Sequence, residues 1–193
     1  MHGTQPLHTP RLCLRRFVPG DAPAMYAGWA SDAAVARFMR WQPHNSVAET
    51  RGLLEEWAAQ YAHGSFYNWA VVRQADGALM GAIGAGPAED GAGLLEPGYA
   101  LGRSYWGHGY ATEALAAVVR YLFESEGQAA LACCHAHENP ASGCVMRKCG
   151  FRYTHDGIYH KYDGTAVPCR HYLLTKEEFQ TQLCPKHNTP PPP

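Results

Sequence analysis

The stretch "RSYWGHGYATEALAAVVRYLF", residues 103–123, places Gly107 and Gly109 around a single histidine, directly before a helix-forming segment. Glycine loses much conformational entropy on folding, so two this close indicate a backbone that bends tightly or approaches something closely. A helix N-terminus presents unpaired N–H groups and a partial positive charge, and flanking glycines let an anion reach them. The stretch therefore predicts either an anion-binding turn or simply a tight turn before a helix.

This turn matches neither of two well-known phosphate motifs. No Lys-Ser/Thr pair follows the second glycine, as the Walker A pattern requires. Thr112 stands at the third glycine position of the dinucleotide fingerprint, and hairpin-linked strands precede the turn instead of a βαβ unit.

Hydrophobic periodicity around the turn predicts strands and helices in mixed order. The predicted strands are 12–17, 68–74, 78–86, 94–101, 129–137 and a final pair within 151–175. The predicted helices are one or two in 21–39, a capped helix at 47–62, the helix after the glycine turn, a short one from Asn139-Pro140, and a last turn or helix at 175–183.

Short connections, including the Asp76-Gly77 hairpin signal, predict three successive antiparallel strands ending at 94–101. A helix then joins 94–101 to 129–137, which should make these two strands parallel neighbours. A stripe of Leu115, Val118, Val119 and Leu122 marks the buried face of that helix. Together the elements predict one α/β domain of the α+β type over 9–182, with a flexible N-terminus at 1–8 and a disordered Pro-rich tail at 183–193.

Composition excludes several classes of function. A net charge of −1 argues against a nucleic-acid partner. No apolar run approaches the ~20 residues that span a bilayer, and residues 1–10 lack the features of a signal peptide. Seven scattered cysteines suit a reducing cytoplasm. Alternation puts Cys133, His135 and His137 on one strand face and Cys134 on the other, and no CxxC pair is present, so we predict no metal site.

From Thr9 to about Phe179 the chain resembles the GNAT family of acetyl-CoA-dependent N-acetyltransferases, and within it the RimJ/RimL-type ribosomal-protein N-terminal acetyltransferases. The combination of "EPGYALGRSYWGHGYATE" (96–113) with "NPASGCVMRKCGF" (139–151) carries this resemblance. It implies a GNAT fold: a mixed, mostly antiparallel sheet of about seven strands, helices on both faces and a splayed parallel strand pair. It also implies acetyl-CoA as cosubstrate, without a metal.

The resemblance further implies that the turn binds the CoA pyrophosphate. The family's loop falls on Trp106, Gly107, His108, Gly109, Tyr110 and Ala111, and Thr112 continues it. Trp106 departs from the family-wide Gln/Arg but is usual in the Rim-type branch, while His108 replaces the usual Lys or Arg. Arg103, together with Arg147 or Lys148, is left as a candidate for the 3′-phosphate.

In the resembling family the pantetheine arm lies between the two splayed strands, here 94–101 and 129–137. Pro97 and Gly98 disturb a regular ladder, which predicts a β-bulge in the first strand or merely its end. A bulge would free the N–H groups of Tyr99, Ala100 and Leu101 for the pantetheine and the thioester oxygen.

Two residues, Glu96 and Ser142, are the main candidates for the chemistry. Glu96 is the candidate base, because it matches the acidic residue of the branch's Glu-x-Gly-Tyr segment; it competes with His135 or His137, and with an exposed carboxylate of no catalytic role. Ser142, from the Asn-x-x-Ser segment, would protonate the CoA thiolate or only contact CoA or cap its helix, and Asn139 would bind the CoA arm. Cys144 and Cys149 have no evident base beside them, which favours direct transfer.

The acceptor of the acetyl group stays open at the level of sequence. Residues 18–66 should form the acceptor wall, and Trp41 is the aromatic residue we expect to line a pocket. The resemblance implies a protein N-terminal amine, although amino sugars, polyamines and amino acids use the same scaffold. A CoA-binding module without catalysis is the remaining alternative for the activity. For the assembly we expect a homodimer.

Overall fold

A mixed eight-stranded sheet, in the order β1-β2-β3-β4-β5-β6-β8-β7, forms the centre of the computed structural model, which describes residues 1–89 and 93–183. The strands are β1 (Leu7–His8), β2 (Leu12–Arg15), β3 (Tyr67–Arg73), β4 (Leu79–Pro87), β5 (Leu95–Leu101), β6 (Ala130–Ala136), β7 (Arg152–His160) and β8 (Ala166–Thr175). All neighbours are antiparallel except β5 and β6. The predicted sheet is confirmed, and the eighth strand is the short edge strand β1.

The α-helices of the described residues are α1 (Ala22–Met25), α2 (Ala33–Ala36), α3 (Val47–Gln60), α4 (Tyr110–Glu124), α5 (Pro140–Lys148) and α6 (Lys176–Leu183). A π-helical turn, Tyr26–Ala30, continues α1. At the start of α3 the Ser46 hydroxyl accepts the N–H of Glu49 at 3.1 Å, as the capping pattern predicts. The Glu49 carboxylate accepts the N–H of Asn45 at 2.7 Å, one residue earlier than a regular capping box.

The helices cover the two faces of the sheet with separate cores. On one face, α4 and α5 pack on the strands, and the predicted stripe of α4 is almost fully buried there. On the other face, α1 and α3 enclose Trp29 and Leu54 against Ala70 of β3. Because both faces are covered, the middle of the sheet is buried except where its strands separate.

The strands separate between β5 and β6. Within this parallel pair, Leu95 and Leu131 are the matched residues, and β6 otherwise pairs along its length with β8. The predicted parallel neighbours are confirmed, and the facing edges of β5 and β6 diverge after Leu95. This gap positions the site described below.

The predicted bulge at Pro97-Gly98 is wrong. β5 pairs with β4 in continuous register from Leu95↔Pro87 to Leu101↔Gly81, and the irregularity lies in β3, between Val71 and Val72. The N–H of Gly102 bonds the carbonyl of Met80. Antiparallel alternation therefore points the main-chain N–H and C=O groups of the even-numbered residues of β5 toward β4, and those of the odd-numbered residues toward the gap. Proline is tolerated at 97 because its missing N–H falls on the unpaired side.

Residues 1–8, expected to be flexible, are packed in the structure. Thr4 is buried, and its hydroxyl donates to the carbonyl of Phe66 at 2.8 Å. The main-chain N–H of His2 donates to the carboxylate of Glu126 at 2.9 Å. The expectation missed this because the contacts join segments far apart in sequence. The proposed tail falls, from residue 184 onward, outside the described residues.

Within residues 1–89 and 93–183, none of the helices has both the length and the apolar character needed to cross a membrane.

Candidate active site

The glycine turn before α4 has the backbone that an anion site needs. Gly107 and Gly109 have φ values of +77° and +80°, in the left-handed region that side chains disfavour. Gly109 is the N-cap of α4 and supplies no side-chain cap, so the N–H groups at the start of the helix stay available. A Cβ at Gly107 would meet no atom within 4 Å, and one at Gly109 would meet the Arg11 guanidinium at 3.5 Å. The space above the turn therefore fits a phosphate group.

Arg11 braces this turn, although nothing in the local sequence pattern points to it. Its Nε donates to Glu113 at 2.6 Å and its Nη1 donates to the carbonyl of His108 at 3.0 Å. The guanidinium also lies 4.5 Å from the ring centre of Tyr110. A carboxylate in the first turn of α4 would repel an anion, and Arg11 offsets the charge of Glu113. Sequence reasoning missed the role of Arg11 because this residue lies in the loop before β2, far along the chain from the turn that it contacts.

A cavity of about 470 Å³ extends from the glycine turn toward the gap between β5 and β6. Its lining includes Trp106, Gly107, Gly109, Tyr110, Ala111, Thr112, Tyr99, Ala100, Leu101, Asn139 and Ser142, so it brings together nearly all of the predicted cofactor residues. His108 is the exception: its Nδ1 bonds the carbonyl of Trp106 at 2.7 Å and its ring stacks on Tyr110.

The cations predicted for a 3′-phosphate differ in availability. Arg103 bonds Asp32 at 2.5 Å, and Arg147 bonds the hydroxyl of Tyr172 at 3.2 Å. Lys148 lines the cavity. Of the three, Lys148 is thus the residue placed to meet a phosphate.

The main chain of β5 offers two of the three predicted N–H donors to the gap. By the alternation described above, Tyr99 and Leu101 point their N–H groups away from β4, whereas Ala100 faces Ala82 within the ladder. The carbonyl of Pro97 also faces the gap and accepts the thiol of Cys133 at 3.4 Å. The donors therefore come from the splay of the strands, not from a bulge.

A second cavity of about 310 Å³ adjoins the first on the side of α3 and β7. The residues shared by both linings are Phe38, Met39, Tyr99, Ala100, Asn139 and Ser142. Trp41 lines the second cavity, as predicted, and so do Trp57 and Glu96. The two cavities meet at the gap in the sheet.

Glu96 lies in the wall of the second cavity with two polar contacts. The thiol of Cys134 donates to its Oε1 at 3.3 Å, and Nη2 of Arg40 lies 3.7 Å from the same atom. Burial, and next the charge of Glu96, raise the pKa of the Cys134 thiol, so this thiol stays a neutral donor. Arg40 was not among the predicted site residues, because it lies in a loop after α2 without a recognisable motif.

The two histidines proposed as alternative bases occupy different surroundings. His135 is buried, its Nδ1 bonds the carbonyl of Ala136 at 2.8 Å, and its Nε2 is 3.2 Å from the Tyr172 hydroxyl. Burial lowers the pKa of His135, which keeps the ring neutral. His137 is exposed, with Nε2 at 3.1 Å from the carbonyl of Cys169. His135 lines the second cavity, but both of its ring nitrogens already have partners, and among the described residues neither histidine is hydrogen-bonded to Glu96.

Ser142 and Tyr99 form a hydroxyl pair where the cavities meet. The Tyr99 hydroxyl lies 2.8 Å from Oγ of Ser142 and donates to the Ser142 carbonyl at 3.0 Å. Burial raises the pKa of the Tyr99 phenol, so it stays protonated. The Asn139 side chain caps α5 by accepting the N–H of Ser142 at 3.3 Å. Sequence reasoning used the main chain of Tyr99 and missed its hydroxyl.

The remaining thiols are poorly suited to covalent catalysis. Burial raises the pKa of Cys149 to about 12, and its Sγ contacts the carbonyl of Thr112. Cys144 is exposed beside the Arg147 guanidinium at 3.1 Å, away from any base described above. Across the described ranges, no three His, Cys, Asp or Glu side chains are grouped to hold a metal ion.

Comparison with known proteins identifies the scaffold. The family model for the acetyltransferase (GNAT) domain matches residues 11–152, well over half of the chain. This chain belongs to the GNAT acetyltransferase family. The family and its N-acetyltransferase relatives make it an acyl-CoA-dependent acetyltransferase.

Individual relatives extend this GNAT assignment over nearly the whole chain. It is 27% identical to the uncharacterised N-acetyltransferase YoaA of Bacillus subtilis, covering 88% of this chain and 96% of YoaA. A GNAT-family acetyltransferase from Bacillus anthracis superposes with a TM-score of 0.76 at 22% identity, over 90% of this chain and 99% of the other. A candidate ribosomal-protein-serine acetyltransferase from Vibrio cholerae superposes with a TM-score of 0.77 at 20% identity, over 89% of this chain and 97% of the other. These two likenesses show the fold.

Proposed function

We propose that this acetyltransferase binds acetyl-CoA along the 470 Å³ cavity and transfers its acetyl group directly to a primary amine held in the 310 Å³ cavity. The observation that carries the proposal is the meeting of the two cavities at the splayed strands, with Glu96 on one side and the glycine turn on the other. The N–H groups of the turn and the start of α4 would hold the pyrophosphate, and Lys148 the 3′-phosphate.

When bound, acetyl-CoA supplies a thioester carbonyl that a neutral amine can attack. The N–H of Tyr99 or Leu101 would donate to the carbonyl oxygen, where a fixed donor is worth ~3 kcal/mol in the transition state. An amine near pKa ~10.4 is mostly protonated at neutral pH. Glu96 would therefore take a proton from the ammonium group, directly or through water.

The Tyr99–Ser142 hydroxyl pair would return a proton to the departing sulfur. Its two hydroxyls lie 2.8 Å apart at the cavity junction, so the pair can pass to the sulfur the second proton that the amine loses when the tetrahedral intermediate collapses, and both hydroxyls end the step protonated. Asn139 holds Ser142 in place through the cap of α5. Among the described thiols, those of Cys134 and Cys149 keep their protons because burial raises their pKa values, and Cys144 has no base beside it, which favours direct transfer of the acetyl group.

An acyl-acceptor screen tests the proposal. The full chain is incubated with acetyl-CoA and amines from four classes: peptides with free N-termini, amino sugars, polyamines and small monoamines. We expect thiol release with at least one class, and an increase of the melting temperature by acetyl-CoA alone. Stabilisation without release from any amine would instead indicate a CoA-binding module.

The Rim-type resemblance supports including peptide N-termini in the screen, and the fold-level likeness to the Vibrio cholerae protein adds to this. A homodimer in a reducing cytoplasm remains our expectation from the same resemblance and from the free cysteines of the described residues.

A further inference from the structure

Six aromatic rings contribute to the lining of the acceptor cavity, five of them at least partly buried and one, Tyr162, exposed. Besides Tyr99, these are Phe38, Trp41, Trp57, Tyr159 and Tyr162. Trp57 packs against Phe17 with ring centres 5.2 Å apart. The Tyr159 hydroxyl donates to the carbonyl of Phe38 at 3.1 Å, and the Arg40 guanidinium covers the Tyr159 ring at 5.0 Å. Rings held in this way form a pocket for a flat apolar body.

The charges in this wall are already compensated. Among the described residues that line the cavity, Arg40 and Glu96 are the ionised side chains, and they lie 3.7 Å apart. Arg40 also bonds Glu89 at 2.5 Å. An acceptor carboxylate would compete with two glutamates for Arg40, and a second ammonium group would lie near a guanidinium with no free carboxylate beside it. The wall therefore favours a body that carries no charge beyond the reacting amine.

Asn68 adds one uncharged polar group to the wall. It is 9% exposed and lines the cavity, while its main chain bonds Thr4 and Tyr61. In the part of the chain that the structure describes, its side-chain amide makes no hydrogen bond, and that amide is not sealed from solvent. An amide so placed can bond a hydroxyl or another neutral polar group of an occupant.

We propose that the acceptor is an aromatic monoamine: a primary amine on a short arm from an aromatic ring that carries a neutral hydrogen-bonding substituent. This inference rests on the proposed function and narrows its acceptor class. Polyamines, amino sugars and free amino acids bring extra charges that the wall does not match. The rings would pack against the aromatic body of the acceptor. Asn68 would hydrogen-bond its neutral substituent, and Glu96 would accept a proton from its amine.

Matched amines test the proposal with the full chain and acetyl-CoA, by thiol release. Ring preference compares 2-phenylethylamine with 2-cyclohexylethylamine, and charge preference compares it with putrescine, kanamycin and L-phenylalanine. We expect kcat/KM for 2-phenylethylamine to exceed that of its cyclohexyl analogue by about threefold to tenfold, the range of an aromatic–aromatic preference. The charged amines are expected to fall further below. Equal or better use of putrescine, kanamycin or L-phenylalanine would overturn the proposal.

Variants localise the preference. Trp41→Leu is expected to raise KM for 2-phenylethylamine more than it lowers kcat, whereas Tyr153→Leu, on an exposed ring outside the cavity, leaves both unchanged. Tyramine should outperform 2-phenylethylamine, and Asn68→Leu should abolish that difference. Retained stabilisation by acetyl-CoA shows that each variant is folded. Ring preference that survives Trp41→Leu and Trp57→Leu overturns this inference alone, while absence of both transfer and acetyl-CoA stabilisation overturns the proposed function.

Discussion

At the scale of single residues, the acceptor wall depends on side chains brought together from distant parts of the chain. Glu96 comes from β5 and Arg40 from the loop after α2, and Cys134 of β6 completes the contacts of the carboxylate. Each polar group in this trio has a partner, so the carboxylate is held in one place before an amine arrives. A base that is already positioned avoids part of the reorganisation cost of the reaction.

Replacing Glu96 by Gln removes the proposed base while keeping its size. We expect Glu96→Gln to lower kcat/KM by about 10²- to 10⁴-fold, the usual contribution of a general base, with little change in stability. Thiol release measures the rate. Asp76→Asn, which removes a hairpin carboxylate paired with Arg73 at 2.6 Å, is the control. Undiminished turnover of Glu96→Gln would mean that the carboxylate has only a structural role.

For the Tyr99–Ser142 pair we predict that the effects of the two substitutions on kcat are coupled. Tyr99→Phe and Ser142→Ala should each lower kcat by about tenfold, because a thiolate leaves with modest help. If the hydroxyls pass one proton between them, the double variant loses no more than either single one. Kinetics of the four proteins under saturating acetyl-CoA give the coupling. Independent, additive losses would contradict a shared proton path.

Sequence reasoning reached these residues unevenly. Glu96, Ser142 and Asn139 were found because they stand at fixed offsets inside recognisable segments, although their roles stay predictions. The Arg40 contact and the Tyr99 hydroxyl were missed, because a loop cation has no period to detect and a strand residue shows its side-chain partner only after the helix has packed.

At the scale of elements, the turn and α4 act as one unit. Arg11 ties the turn to Glu113 in the first turn of the helix, and the buried stripe of α4 anchors the other end in the core. The N–H groups are thus presented by a rigid helix. A mobile loop would have to be ordered by the ligand at an entropic cost.

Valine at Gly109 is expected to abolish cofactor stabilisation. The φ of +80° is strained for a β-branched residue, and the new side chain would enter the proposed phosphate site. For the parent chain, acetyl-CoA at 100 times its Kd adds ~2.7 kcal/mol to the free energy of unfolding. Thermal unfolding with and without acetyl-CoA measures the difference.

Gly77→Val is the matched control for this prediction. Gly77 has a φ of +71° in the β3–β4 hairpin, and a Cβ there would meet no atom within 4 Å. We expect it to lose similar stability but to keep the full response to acetyl-CoA. The turn assignment fails if both variants respond alike.

The elements themselves were largely predictable, since the glycines, prolines and hydrophobic periods mark their ends. The error at Pro97-Gly98 has a physical origin. A proline in a central strand indicates a missing hydrogen bond, and sequence cannot tell whether a bulge or a separated neighbour accounts for it. The structure has the separated neighbour.

At the scale of the whole molecule, Glu126 fastens the N-terminal segment to the core. Its side chain is fully buried, accepts the hydroxyl of Tyr67 at 2.9 Å and the N–H of His2 at 2.9 Å, and lies 2.7 Å from the Tyr121 hydroxyl. Burial opposes ionisation, but these hydrogen bonds outweigh it and lower the pKa of Glu126. Such a contribution to stability is present above the unfolded-state pKa of ~4.3 and is lost as pH falls through the folded-state value.

Glu126→Gln is therefore expected to destabilise the protein in a pH-dependent way. At pH 7 the free energy of unfolding should fall by about 1.5–3 kcal/mol, the range for hydrogen bonds to a charged group. The difference from the parent chain should shrink as the pH falls from ~4.3 through the lower folded-state pKa, below which the carboxylate is protonated in both states. Urea unfolding over a pH series measures it, with Glu124→Gln, at an exposed position nearby, as the control. A difference that does not change with pH would contradict the assignment.

The separation of β5 from β6 divides the sheet into segments of five and three strands that are matched in register at the single pair Leu95↔Leu131. The facing edges of β5 and β6 present main-chain N–H and C=O groups. A ligand that fills the opening must therefore be thin, extended and rich in amides. In the proposed function the acyl carrier is held largely by main-chain groups, so substitutions that leave the backbone in place are expected to alter its binding little. The aromatic wall opposite is encoded in side chains alone. Substitutions in the aromatic wall are therefore expected to change the preferred amine more than the affinity for acetyl-CoA.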